Sequence, residues 1–346
     1  MKSLQVQAAD NRADYGAVLF LSMLLLALAV GSLALGRYPL PVATVIEVLG
    51  RKLVPWNSQP PAIAETIVLQ VRFPRVIAAV MVGAGLSVAG SAYQTIFRNP
   101  MASPALLGVS AGAGFGASLA MLLRQPLIIV EASAFVGGFI AVLIAYAAHR
   151  AIRGASIVTL VLCGMVTSAL FQALISIVKY VADPVEILAS ITFWLMGGLS
   201  KIGVQEAIAV SIPVLAGSVI LFALRWRLSL LSLGDAEAAS LGVDVKKLRF
   251  TVIVCATIMS GATVCVAGIV GWVGLLVPHM ARSVFGLKPG KLLMSTFLMG
   301  GLFVLGVDDL ARSGFEAEIP LGVLTALIGA PFFLFLFIRF GQRNWQ

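Results

Sequence analysis

Few side chains in this sequence could do chemistry, and their spacing argues against an enzyme. The two histidines, His149 and His279, lie far apart, and His279 reads as a hydrogen-bonded structural residue. Cys163, Cys255 and Cys265 sit inside apolar runs without metal-ligand spacing, so they read as small buried hydrophobes. There is no G-x-S-x-G elbow, no paired-carboxylate cluster and no G-x-x-x-x-G-K-[ST] loop to cradle ATP phosphates. No catalytic and no metal-binding residue is therefore assigned, and no cofactor is expected in this chain. Two charged clusters remain. Asp308, Asp309 and Arg312 gather at the end of one apolar run, and Gly234-Asp235-Ala236-Glu237-Ala238-Ala239-Ser240-Leu241-Gly242 forms a polar island. Ion-coupled transport needs titratable groups within the membrane, and the centres of the apolar runs are almost free of them.

Those apolar runs are the elements that must position both clusters. Tyr15–Gly36, Val76–Phe97, Asn99–Leu123, Gly154–Val178, Ala207–Leu224, Phe250–Ala281, Leu292–Val307 and Ile319–Ile338 contain no Lys, Arg, Asp or Glu. A helix needs about 20 apolar residues to cross a hydrocarbon core, and lipid forces backbone polar groups into internal hydrogen bonds. Glu131–Ala148 spans as well if its terminal acid lies at the surface. Ile187–Ser200 is too short to cross and looks like half a helix. At about 1.5 Å per residue, Phe250–Ala281 is too long for one straight span. Gly268, Gly271, Gly274 and Pro278 offer breaks that split it in two. The fold class is all-α: a polytopic membrane protein of about ten transmembrane helices, with residues 1–346 as one domain.

Basic residues choose the face. With Met1 inside, 15 of the 24 Lys and Arg fall on the inner side, which favours cytoplasmic termini and a cytoplasmic segment over residues 1–14. The net charge of +9 thus reads as loop topology and anionic-lipid contact, and nucleic-acid binding is the poorer explanation. No cleavable signal peptide is evident. Arg37–Phe73, rich in proline, reads as an external loop with short surface helices. Arg98-Asn99-Pro100-Met101-Ala102-Ser103-Pro104 reads as a tight internal turn. Residues 225–249 are the longest internal connection, and Gly234–Gly242 within them reads as a short helix with acids at its front and Gly242 as its stop. Gly112 to Gly116 has the small-xxx-small spacing that lets helices approach closely. Laying Gly83–Pro100 over Gly261–Pro278 gives six identities, a weak sign of internal duplication in inverted orientation.

Several motifs taken in order resemble the permease subunits of type II ATP-binding-cassette (ABC) importers, the FecCD family of iron-complex and vitamin B12 permeases. They include Arg72-Phe73-Pro74-Arg75, the Arg98–Pro104 turn, Leu107-Gly108-Val109-Ser110-Ala111-Gly112 and Phe193-Trp194-Leu195-Met196-Gly197-Gly198. Leu233–Val243, Gly274–Arg282, Asp309-Leu310-Ala311-Arg312, Ile319-Pro320-Leu321-Gly322 and Leu327–Phe332 complete the series. Phe73 stands where that family usually has leucine, and Met101 and Ser103 vary its turn. The resemblance implies ten helices per subunit, a homodimer, two cytoplasmic ATPases that bind ATP and magnesium, and an external substrate-binding protein. It implies that Gly234–Gly242 couples to the ATPase, and that Arg72, Arg75 and Arg312 are exposed guanidiniums gripping acids on the binding protein. It places a cytoplasmic gate near Ser156, Ile157, Val158 and Thr159. The expected location is the bacterial inner membrane. The expected cargo is a metal chelate, iron(III)–siderophore first, with haem, cobalamin and molybdate or tungstate as alternatives. An ion-coupled carrier is the rival from another class.

Overall fold

The computed structural model describes residues 2–36, 38–51, 61–152, 157–286, 289–314 and 317–340, and among them there is no strand. Helices are what this sequence must form: in lipid each backbone N–H needs a partner in its own segment. The first is α1 (Lys2–Ala34), which starts well inside the polar N-terminal segment. After the short surface helix α2 (Val42–Arg51), α3 (Ala62–Thr66) and α4 (Phe73–Phe97) join through a widened turn, Ile67–Arg72. This corrects the external-loop reading of Arg37–Phe73, because its second half is already the start of a long helix. Pro74 lacks an N–H, and the wide turn before it absorbs the disruption, with Phe73 N–H reaching back to Val68 O.

Next come α5 (Val109–Leu122), α6 (Leu127–Ala151), α7 (Ile157–Val181), the half-length α8 (Ile187–Met196) and α9 (Val204–Ala223). Two short helices, α10 (Arg225–Leu231) and α11 (Asp235–Ser240), precede α12 (Val245–Ala267), α13 (Val273–Phe285), α14 (Pro289–Ser313) and α15 (Leu321–Phe340). Among the described residues seven stretches are long and apolar enough to cross a membrane, and α5, α13 and the Leu321–Phe335 part of α15 are further apolar helical stretches where the remaining crossings were expected. The half-helix reading of Ile187–Ser200 matches α8.

Burial sorts these helices into a core and a coat. In Ala62–Phe97 the apolar stretch is 83% buried and in α12 72%, against 17% for the stretch in α1. The coat turns residues such as Phe20, Leu26, Val166 and Ile212 outward, as lipid permits. Close approach is written in small residues. A Cβ on Gly112 would stand 2.3 Å from Gly137 O, and one on Gly116 2.0 Å from Ser133 O, so α5 and α6 meet backbone to backbone.

The long run splits at Gly268, which ends α12 at φ +66, and the chain re-enters helix at Val273. Gly274 and Pro278 do not break it, since both lie inside α13. The Gly83/Gly261 overlay holds helix against helix only as far as Ala89 and Ala267. Beyond that, Gly90 continues α4 whereas Gly268 stops α12.

Candidate functional site: two charged ends of the bundle

One end carries Arg72, Arg75, Asp308, Asp309, Arg312 and Glu318. The expectation of exposed guanidiniums is corrected here, because each arginine is engaged within the chain. Arg72 is 4% exposed and donates to Leu33 O at 2.8 Å, Ala34 O at 2.9 Å and Tyr38 O. It thereby satisfies carbonyls that the C-terminus of α1 cannot bond internally. Arg75 grips Asp308 in a fork, Nε at 2.9 Å and Nη2 at 2.8 Å, and also donates to Glu318. Asp308 is fully buried, so this pair has left water and holds α4 against α14. Arg312 donates to Asp309 and to Ser32 O, each at 2.5 Å, while Ser32 Oγ donates to Asp309 at 2.7 Å. The physical reason is geometric: Arg75 and Arg312 sit on faces of α4 and α14 that pack against each other and against α1, and Arg72 ends the wide turn that leads into α4.

Beside this cluster opens a cavity of about 540 Å³ lined by Arg75, Glu131, Lys201, Asp308 and Glu318 together with the C-terminus of α8. Glu131, expected at the surface, is half-buried and faces this cavity. Three chain breaks meet at its wall. Gly198 N–H donates to Ala267 O at 2.8 Å, and Leu321 N–H donates to Gly197 O at 2.9 Å. Interrupted helices bring backbone groups to a cavity wall in this way.

The other end holds Asp235, Arg98, Arg249, Arg282 and the loop that contains α11. Gly234 at φ +138 and Gly242 at φ +82 bracket α11, both in conformations that favour glycine. The short-helix reading with Gly242 as its stop matches the structure. Ala238 is buried against the chain, whereas Ala236, Glu237, Ala239, Ser240 and Leu241 face outward. Asp235 at its head accepts from Arg249 Nη2 at 2.7 Å and lies 3.6 Å from Arg98 Nη2. These arginines belong to α12 and to the residue just after α4, so the two core helices hold the small helix. Arg98 adopts a left-handed conformation at φ 48, and Asn99 Oδ1 accepts from Met101 N–H at 2.8 Å, the tight turn expected there. Below, Asp244 caps α12 by accepting from Lys247 N–H, which holds its carboxyl below the usual range.

Of the expected gate, Ser156 lies outside the described residues, and Ile157, Val158 and Thr159 open α7 with Val158 exposed. No group of His, Cys, Asp and Glu among the described residues could hold a metal ion. His279 packs edge-on against Phe333. The sequence reading missed Glu318 and Ser32 as partners of the arginines, and the part-buried pair of Gln94 with Arg282. Partners so distant in sequence leave no local signal.

The pattern of the FecCD transport family matches residues 24–339. The molybdate import system permease protein MolB of Haemophilus influenzae is 40% identical over 321 residues, 92% of this chain and 95% of the relative. A Helicobacter pylori protein named "Probable iron chelatin transport system permease protein" is 42% identical over 273 residues, 79% of this chain and 82% of the relative. A solved structure described as "An inward-facing conformation of a putative metal-chelate type ABC transporter" superposes with a TM-score of 0.85 at 38% identity, covering 94% of this chain and 99% of that one. The chain belongs to the FecCD transport family and is a membrane-spanning permease of the ABC importer class.

Proposed function

We propose that the chain is the passive gateway of a binding-protein-dependent importer that carries a metal chelate, iron(III)–siderophore first, by alternating access. Two copies form the pathway, and two cytoplasmic ABC ATPases bind ATP and magnesium and supply the work. The chain itself catalyses nothing. Both termini face the cytoplasm of a bacterial inner membrane. The observation that carries this reading is α11, a six-residue helix facing outward at the basic end and tied by Asp235 to both core helices. Such a helix seats in a partner's cleft through Ala236, Glu237, Ala239, Ser240 and Leu241, with Gly234 and Gly242 as its hinges. A push on it reaches α4 and α12 directly. The gate lies at the start of α7, around Ser156–Thr159.

The opposite end receives the binding protein. Of the three arginines, Arg75 takes part most directly, because its partner Glu318 is 28% exposed and a docking carboxylate can take that place. Arg72 and Arg312 shape the docking face from beneath. Replacing Glu237 or deleting Asp235–Ser240 should abolish ATPase association or coupling while the spans still insert. Unchanged ATP-driven uptake would sink the coupling role.

A second reading, molybdate, draws support from the 40% identity to a molybdate permease over nearly the whole length. Mass spectrometry of the cognate binding protein's cargo separates the two. An iron chelate supports the first and an oxyanion replaces it with the second.

A further inference from the structure

At the coupling end a second cavity, about 260 Å³, opens between α4, α10, α13 and α14. Its wall includes Ser91, Gln94, Arg98, Ser229, Ser232 and Arg282, and no carboxylate. Arg282 is the unusual member. It is half-buried, and among the described residues its one hydrogen bond goes to Gln94 Oε1, although a guanidinium carries five N–H donors. No carboxylate among the described residues pairs with it. A positive charge withdrawn from water without a counter-ion is costly, so a site that keeps one is built to receive an anion. Ser91 adds a hydroxyl at the same wall. It is 1% exposed, and among the described residues its Oγ has no hydrogen-bond partner. Gln94 cannot serve as the counter-charge, since it is a neutral amide whose Nε2 lies 3.4 Å from Gly274 O and Leu275 O. Ser229 and Ser232 already donate to Trp226 O and Ser229 O. Recognition therefore rests on Arg282, Ser91 and Arg98.

We infer that this cavity binds a phosphate-like oxyanion held by Arg282 and Ser91. The space exceeds the ~30 Å³ share of one water several times over, enough for a tetrahedral anion and its remaining hydration. The ligand bridges the core helix α4 to α10, the helix that leads into α11, and shares Arg98 with Asp235. Occupancy thus stiffens the link between the coupling segment and the core. The anion has two possible sources, free oxyanion in the cytoplasm or the phosphate of an anionic lipid.

The test uses the full chain, in whatever assembly it purifies, in nanodiscs. In the first arm the discs hold phosphatidylcholine only, and inorganic phosphate is titrated while the unfolding midpoint is followed. In the second arm phosphatidylglycerol is added without phosphate, and retained lipid is counted by native mass spectrometry. A phosphate-dependent rise in midpoint whose apparent affinity falls about tenfold or more in Arg282→Gln assigns a free oxyanion. Phosphatidylglycerol retained by the parent and lost from Arg282→Gln assigns the lipid headgroup. If Arg282→Gln does not fold, Ser91→Ala must weaken one of the two responses by about threefold. No response in either arm, or responses equal in parent and variants, overturns the site.

Discussion

The two ends of the bundle use the same residue types for opposite purposes. At one end Arg72, Arg75 and Arg312 are sunk among helix ends, with carbonyls and carboxylates filling their donor sites. At the end that carries α11, Arg98 and Asp235 face each other at 3.6 Å with nearly half of each side chain in water. Coulomb attraction is weak in water and strong away from it, while desolvation makes an unpaired buried charge costly. Burial, more than residue type, therefore separates charges that hold the helices together from charges free to follow a partner.

The contrast breaks if the outer cluster proves dispensable. Asp308→Ala leaves Arg75 buried with only Glu318, and the expected loss is about 3–5 kcal/mol of stability, read as a fall in the unfolding midpoint of the purified protein. Arg72→Ala takes a donor from Leu33 O and Ala34 O at the end of α1 and from Tyr38 O beyond it, and should cost about 3 kcal/mol. Its measure is faster proteolysis between α1 and α2. Gly116→Val puts branched carbon where a Cβ already stands 2.0 Å from Ser133 O, so α5 and α6 must part at a cost of about 1–3 kcal/mol. Denaturation in detergent reports it.

At the coupling end the sign of the contrast reverses. Asp235→Asn should change stability by at most about 1 kcal/mol, since surface pairs are worth little. Substrate uptake per ATP should nevertheless fall, because α11 loses its tie to α4 and α12. Equal coupling ratios in parent and variant would remove Asp235 from the route. The smallest effect belongs to Asp244. Its folded-state pKa is lowered by the Lys247 N–H, so the cap is fully present above the unfolded value of about 3.9 and fades only as pH falls through the lower folded value. Exchange of the Lys247 amide, corrected for intrinsic rate, should be flat from neutral pH to about 5 and rise only in stronger acid.

Much of this architecture was legible because lipid turns hydropathy into structure. The charge-free runs, the half-length α8 and the bracketed α11 all follow from local residue choice. Elsewhere local reading failed for a physical reason. The long helix into α4 begins at Ala62, before Arg72 and Arg75, because carbonyls of α1 and acids of α14 receive those charges. Composition marks an arginine as exposed by default, and only partners elsewhere in the fold reverse that: carbonyls some 34 to 39 residues away for Arg72 and an acid 233 residues away for Arg75. Gly268 and Gly274 look equivalent in the sequence. One stops a helix at positive φ beside the backbone of Trp194, and the other sits inside α13 beside the backbone of Leu86. The Gln94–Arg282 pair and its cavity left no trace in either charge pattern or periodicity.

The most direct measurement is vectorial flux in proteoliposomes that hold this chain alone, compared with the same chain plus its ATPase, binding protein and ATP. The expected result is no transport from the lone chain under a proton or sodium gradient, and uptake that begins only when the ATPase turns over. Gradient-driven uptake by the lone chain would contradict the passive-gateway reading outright.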